Sequence, residues 1–305
     1  MKRAFLLGPT ASGKTQIALN LAASINAEII SLDSMLVYRS MDLGTAKPSK
    51  DELQQVKHHL IDVVDPHEEF SVARYVEQCV EVEEQLRQRK KNALYVGGTT
   101  MWFKALVFGL IDLPAVDQQI RDGLQQRLQQ EGAVALRQEL QKVDPEAAYR
   151  IHPNDHRRML RALETWQSTG RSLSDWQQQW PNDKHVSELA WVLDWPRELL
   201  HARVRQRFEE MFNSGLLDEI KAINDGVGFG KTSSKAIGYR QLLSYLDGNS
   251  SLEDAFEKCI SQTNVLIRRQ MTWYRSFSGL KLIDMPAKES NEVLAARLAD
   301  EFTAN

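Results

Sequence analysis

Gly8-Pro9-Thr10-Ala11-Ser12-Gly13-Lys14-Thr15 is the stretch whose reading decides the fold of this chain. It fits the pattern G-x-x-x-x-G-K-[ST]. Ala4 to Leu7 before it is a short apolar run of the kind that forms a buried parallel strand. Gln16 to Ala22 after it carries apolar residues at helical spacing. A strand, a glycine loop and a helix in that order make an anion cradle. Glycines let backbone N–H groups turn inward around phosphate oxygens, where a side chain would block the approach. The helix that follows aims its positive end at the same anion. Lys14 adds a full charge, and the Thr15 hydroxyl is suited to hold Mg²⁺. Gly8, Thr10, Ala11, Ser12, Gly13, Lys14 and Thr15 are therefore the expected phosphate- or diphosphate-binding residues, with Thr15 the metal ligand. Phosphoryl transfer, NTP hydrolysis and loss of diphosphate as a leaving group all use such a cradle, and the motif alone does not choose among them.

Moving outward, Ala27 to Leu32 reads as a second strand, ending in Asp33-Ser34. Functional groups of parallel sheets gather at the C-terminal ends of strands. Asp33 is thus either a group aimed at the phosphate loop or a simple turn residue. His58 to Val63 reads as a short strand whose adjacent histidines alternate faces, which suits structural roles better than a shared metal. Ser71 caps a long helix from Val72 to Lys91. Ala93 to Val96 is a further strand, followed by Gly97-Gly98-Thr99-Thr100. That turn either brings the backbone and the Thr99 hydroxyl to a ligand or simply joins strand to helix. Ala190 to Asp194 returns to strand, and Pro196 opens a long helix in which Arg203 and Arg207 share a face. Together these predict an α/β fold: a P-loop parallel-sheet core, residues 1–113 and 186–305, flanked by helices. Between them, 114–185 is rich in Gln and Arg and lacks strand-like runs. Helical stretches over 118–130, 133–143, 145–150, 155–168 and 172–180 predict an all-helical insertion domain. In it Arg157, Arg158 and Arg161 lie within one turn of each other, as a solvated face or as contacts to nucleic-acid phosphates.

Composition narrows the classes. With 42% hydrophobic and 26% charged residues over 305 positions, the chain can bury a sizeable core. No apolar run approaches the ~20 residues of a membrane helix. Lys2-Arg3 precedes only Ala4 to Leu7, short of the ~7–15 apolar residues of a signal peptide. Cys79 and Cys259 have no zinc spacing and read as core thiols of a reduced, cytoplasmic protein. The net charge of −3 excludes bulk, non-specific nucleic-acid binding but leaves room for a local basic face. Lys231 to Arg240, and the interleaved arginines and aromatics of Arg268 to Arg275, are candidates for one.

The ordered series of motifs resembles the tRNA dimethylallyltransferase family of the bacterial type. It comprises GPTASGKT at 8–15, ISLDS at 30–34, YRSMDLGTAKP at 38–48, VGGT at 96–99 and FKAL at 103–106. HPND at 152–155, RMLRALE at 158–164, RELLHARVRQRF at 197–208, IGYRQ at 237–241 and RRQMTWYR at 268–275 complete it. The resemblance covers nearly the whole chain. It implies that dimethylallyl diphosphate binds with its diphosphate in the P-loop, with Mg²⁺ as cofactor. N6 of the tRNA adenosine 3′-adjacent to the anticodon would attack C1, and diphosphate would leave. The resemblance also implies roles: Asp33 as general base, with Thr99, Arg121 and Arg207 holding the diphosphate or stabilising the transition state. Asp33, Ser34, Met35 and Leu36 match stretches that contact tRNA, as do Arg157, Arg158, Met159, Leu160 and Arg161. So do Lys235, Ala236, Ile237, Gly238, Tyr239 and Arg240. The insertion would grip the anticodon stem-loop, and a cytoplasmic monomer with no membrane attachment is expected. After HPND the chain continues His156-Arg157, where the family would place a non-basic residue and then Gln. Two readings compete: a P-loop small-molecule or nucleoside kinase, and an NTP-dependent RNA-binding switch. The order of motifs along the whole chain argues against both.

Overall fold

In the computed structural model, all residues are described except 112, 114–116, 181–183, 287–288 and 305. Six strands form one sheet: β1 (Arg3–Leu7), β2 (Ala27–Leu32), β3 (His58–His59), β4 (Asn92–Gly97), β5 (Leu189–Asp194) and β6 (Lys281–Asp284). Every pairing is parallel, in the order β3-β2-β4-β1-β5-β6. β2 is buried along its whole length, which explains its near-continuous apolar run: helices cover both faces of the sheet.

Alternation along β1 sends side chains to opposite faces. Ala4 and Leu6 join the layer built by the helices Lys14–Ser24 and Asn291–Ala304, with Ile17, Leu21, Leu294, Leu298 and Phe302. Phe5 points the other way and stacks on Tyr95, with Phe103 edge-on against Phe5 and Phe277 edge-on against Phe103. On the flank of that layer Tyr75 and Trp102 stack with centroids 3.8 Å apart, and the Tyr75 hydroxyl donates to Ser31 O at 2.9 Å.

Contacts divide the chain into two compact units, Met1–Val107 with Lys184–Asn305, and Phe108–Asp183. The expected boundary at 113/114 has its second residue outside the described residues. The smaller unit is built from the helices Gln118–Val143, Pro145–Arg150, His156–Thr169 and Leu173–Gln177. Gly132, at φ 82° and ψ 167°, breaks the first of these between the two expected stretches. Leu124, Leu136, Leu140, Met159 and Leu163 form its core. The buried Asp144 carboxylate ties two helix starts together, accepting from Ala147 N at 2.9 Å and Ser174 N at 3.0 Å.

One expectation is corrected. Only His58 and His59 of 58–63 are strand. Leu60 and Asp62 take positive φ, 61° and 56°, so the chain leaves the sheet. It then meets the loop after β2, with Asp62 N donating to Leu36 O and Val63 N to Val37 O.

Candidate active site

Register places the site. β1 pairs β4 with Leu7 opposite Gly97, and β2 pairs β4 with Leu32 opposite the same Gly97. The residues that follow those three positions therefore leave the sheet side by side: Gly8, Asp33 and Gly98-Thr99. A Cβ on Gly97 would sit 2.1 Å from Leu32 O, so only glycine permits this approach. Leu32 O in turn accepts from Gly98 N and Thr99 N, which binds the two strand ends together.

The P-loop enters its helix through Gly13, whose φ of 79° suits glycine, and no side chain caps that helix. The Lys14 ammonium folds back on the loop, donating to Gly8 O at 2.9 Å, Pro9 O at 2.8 Å and Ser12 Oγ at 3.1 Å. Burial pushes Lys14 down to about 7; Asp33 acts upward on it and Arg207 downward. Arg207 is likewise held below the usual guanidinium range, chiefly by burial, with Asp33 opposing. Asp33 thus acts electrostatically on both Lys14 and Arg207.

Asp33 makes the turn that one of its two readings expects. Its Oδ1 accepts from Met35 N at 2.9 Å, an Asx turn that fixes the carboxylate beside the cradle. Thr99 Oγ1 accepts from Ser34 N at 3.0 Å and lies 3.4 Å from Ser34 Oγ, locking the VGGT turn to the strand end that carries Asp33. Thr15 is half-buried, and its hydroxyl has no hydrogen-bond partner among the described residues. A free oxygen donor at a phosphate cradle fits what Mg²⁺ takes from protein, the rest of its shell being phosphate and water.

Other expected residues fall elsewhere. Arg121 belongs to the helical unit, where its Nε lies 3.1 Å from Glu164 Oε1. Within 157–161, Met159 and Leu160 are buried in that unit's core. Arg158 pairs with Asp155 at 3.2 Å and Arg161 with Glu164 at 3.5 Å. Arg157 has no ion-pair partner among the described residues; Arg157 and Arg158 are exposed and Arg161 is half-buried. In 235–240, Lys235 and Arg240 are exposed, whereas Ala236, Gly238 and Tyr239 are buried. His58 and His59 have structural partners: Val56 O at 2.7 Å and Glu28 Oε2 at 2.6 Å. Cys79 and Cys259 are buried free thiols, each pushed by burial to about 12.

Three supporting residues have no site role from the sequence, although Arg203 shares a face with Arg207 and Gln270 lies within the 268–275 motif. Arg203 donates from Nε to Ala11 O at 2.8 Å and lies over the Trp195 ring, whose Nε1 donates to Ser12 O at 3.0 Å. Gln270 reaches both Thr10 and Gly98. Glu219 holds the loop after Met41: Oε2 accepts from Asp42 N and Leu43 N, and Oε1 from Gly44 N and the Tyr239 hydroxyl. A separate cavity of about 470 Å³ opens beside Trp195, Arg197, Asn264 and Arg268; none of the residues expected to bind diphosphate line it, whereas Arg268 and Arg275 of the candidate basic face do. Among the described residues no helix is long and apolar enough to cross a membrane, and no cluster of three or more acidic, His or Cys ligands occurs.

Comparison with known proteins bears on what this site handles. A family model described as IPP transferase matches residues 36–277. A tRNA dimethylallyltransferase of Chromohalobacter salexigens is 38% identical over 291 residues, covering 94% of this chain and 93% of the relative. The crystal structure of the full-length tRNA isopentenylpyrophosphate transferase from Bacillus halodurans is 34% identical. It superposes with a TM-score of 0.72, covering 99% of this chain and 96% of its own. A eukaryotic dimethylallyltransferase, captured in crystallographic snapshots acting on tRNA, is 25% identical with a TM-score of 0.80. That match covers all of this chain and 80% of the other.

Proposed function

The chain belongs to the IPP transferase family, and from that premise we propose that it transfers a dimethylallyl group from dimethylallyl diphosphate to tRNA. The acceptor is N6 of the adenosine 3′-adjacent to the anticodon. One observation carries the chemistry: the P-loop with its buried Lys14, the strand end bearing Asp33 and the Gly98-Thr99 turn leave the sheet side by side at its C-terminal edge. The comparisons do not favour the kinase reading.

The N6 lone pair attacks C1 of the dimethylallyl group, the C1–O bond breaks, and its electrons leave with the diphosphate. Lys14, Arg207 and the loop amides meet the charge that grows on that leaving group, and their partial desolvation strengthens the attraction. An aromatic amine is a weak nucleophile, and Asp33 takes the N6 proton as the new bond forms. Thr99 keeps the strand end that carries Asp33 in register with the cradle. Thr15 would hold Mg²⁺, which supplies further charge neutralisation at the diphosphate. The target base leaves its stack to reach Asp33. The exposed Arg157 and Arg158, with the half-buried Arg161 and with Lys235 and Arg240, suit the tRNA backbone, and we assign the helical unit with Arg121 to the anticodon stem-loop. A cytoplasmic monomer is consistent with work on tRNA.

Labelled dimethylallyl diphosphate, Mg²⁺ and unmodified tRNA, without ATP, test this reading. Label enters tRNA with the wild-type protein, and Asp33→Ala lowers the rate ~10²–10⁴-fold, the usual size for a general base. Equal labelling by both proteins would remove Asp33 as the base. No label with wild type, and ATP consumed when supplied, would refute the transferase.

A further inference from the structure

Gln270 lies on the helix Leu252–Tyr274 and is 7% exposed. Its Oε1 accepts from Thr10 N at 3.2 Å, and its Nε2 donates to Gly98 O at 2.7 Å. One partner is an N–H and the other a carbonyl, so the orientation of the amide is dictated by its surroundings. The two partners lie in the two glycine loops of the site, the P-loop after β1 and the VGGT turn after β4. These loops approach closely: a Cβ on Gly98 would stand 2.5 Å from Gln270 Nε2 and 3.0 Å from Gly8 O. No hydrogen bond of the sheet itself joins Thr10 to Gly98, because both residues lie beyond the last paired positions, Leu7 and Gly97.

We propose that Gln270 is a positioning residue for prenyl transfer, acting as a clamp that sets the diphosphate cradle against the Thr99–Asp33 side of the site. The proposal rests on the transferase reading above. The P-loop holds the leaving group, while the VGGT turn, through Thr99 and Ser34 N, fixes the strand end that bears the proton acceptor. Attack at C1 needs the leaving oxygen, the carbon and the amine in line, so the relative placement of these loops matters more to the rate than to substrate affinity. A primary amide is the side chain that spans this gap as a neutral donor and acceptor at once.

Two variants test it. Gln270→Met keeps the shape and removes both bonds. Gln270→Glu keeps an acceptor for Thr10 N, but when ionised it has no hydrogen to give Gly98 O; when protonated it has one. Single-turnover transfer is measured at saturating dimethylallyl diphosphate, so that the charge of the Glu variant does not act through binding, and melting temperature confirms the fold. The expected result for Gln270→Met is a transfer rate ~10²-fold down, with a smaller change in KM for dimethylallyl diphosphate, the size of loss that misplacement of reacting groups by about 1 Å produces. For Gln270→Glu the rate relative to wild type climbs as pH falls from about 8 to about 5.5, because burial raises a carboxyl above its usual ~4.3. A folded Gln270→Met protein at the wild-type rate would overturn the clamp, as would a Gln270→Glu ratio that stays flat with pH. If Gln270→Met does not fold, the Gln270→Glu profile decides alone. Failure of the wild-type protein to transfer would instead sink the reading beneath it.

Discussion

Lys14 makes the affinity of this site for diphosphate pH-dependent in a direction the structure dictates. Its ammonium is turned onto Gly8 O, Pro9 O and Ser12 Oγ, and burial holds it near 7 rather than at the usual lysine value. At neutral pH the free protein is therefore divided between charged and neutral Lys14. A bound diphosphate favours the charged form and raises its pKa, so above about pH 7 binding must take up a proton. The affinity then falls ~10-fold per pH unit, equal to ~1.4 kcal/mol, and is independent of pH below about 7 as far as Lys14 is concerned. From about pH 7 to 9 the loss is ~50-fold, about 2.3 kcal/mol, because Lys14 is already half neutral at pH 7. Titration calorimetry with inorganic diphosphate and Mg²⁺, run on wild type and Lys14→Met, isolates the effect, because protonation of the ligand itself is common to both. The wild-type advantage over Lys14→Met should shrink as pH rises, and heats measured in buffers of different ionisation enthalpy should reveal a greater proton uptake by wild type than by Lys14→Met. An advantage that stays constant from pH 7 to 9 would refute the reasoning, since Lys14 would then be fully charged in the free protein.

Two predictions concern the frame that carries these groups. Gly97→Ala forces a Cβ to within 2.1 Å of Leu32 O, a backbone atom inside the sheet, so denaturant unfolding should show a loss at or above the upper end of ~1–3 kcal/mol for overpacking. Glu219→Ala strands the N–H groups of Asp42, Leu43 and Gly44 and the buried Tyr239 hydroxyl; a loss of ~2–4 kcal/mol in the same measurement, with faster proteolysis in the loop over 41–48, is expected.

The part of this protein legible in its sequence is local. Glycines let the loop amides face an anion, Lys14 adds charge beside them, and an apolar run before and a helical period after frame the loop; each of these signals lies within a few residues of the others. The strands at 27–32 and 93–96 followed from the same reasoning, and with them the placing of Asp33 and Thr99 at strand ends. His58 to Val63 did not, because a short apolar run does not reveal that Leu60 and Asp62 turn left-handed to meet the loop at 36–37. Only the tertiary structure put Leu7, Leu32 and Gly97 in one row, since strand order is decided by how helices pack over the sheet and not by any one strand. It alone supplied Gln270, 260 residues from Thr10 and 172 from Gly98, and Glu219, 175 from Gly44. A buried amide or carboxylate leaves no periodic trace in the chain, because its partners are backbone groups, which every residue carries; what selects them is proximity, and proximity across such separations exists only once the core has packed.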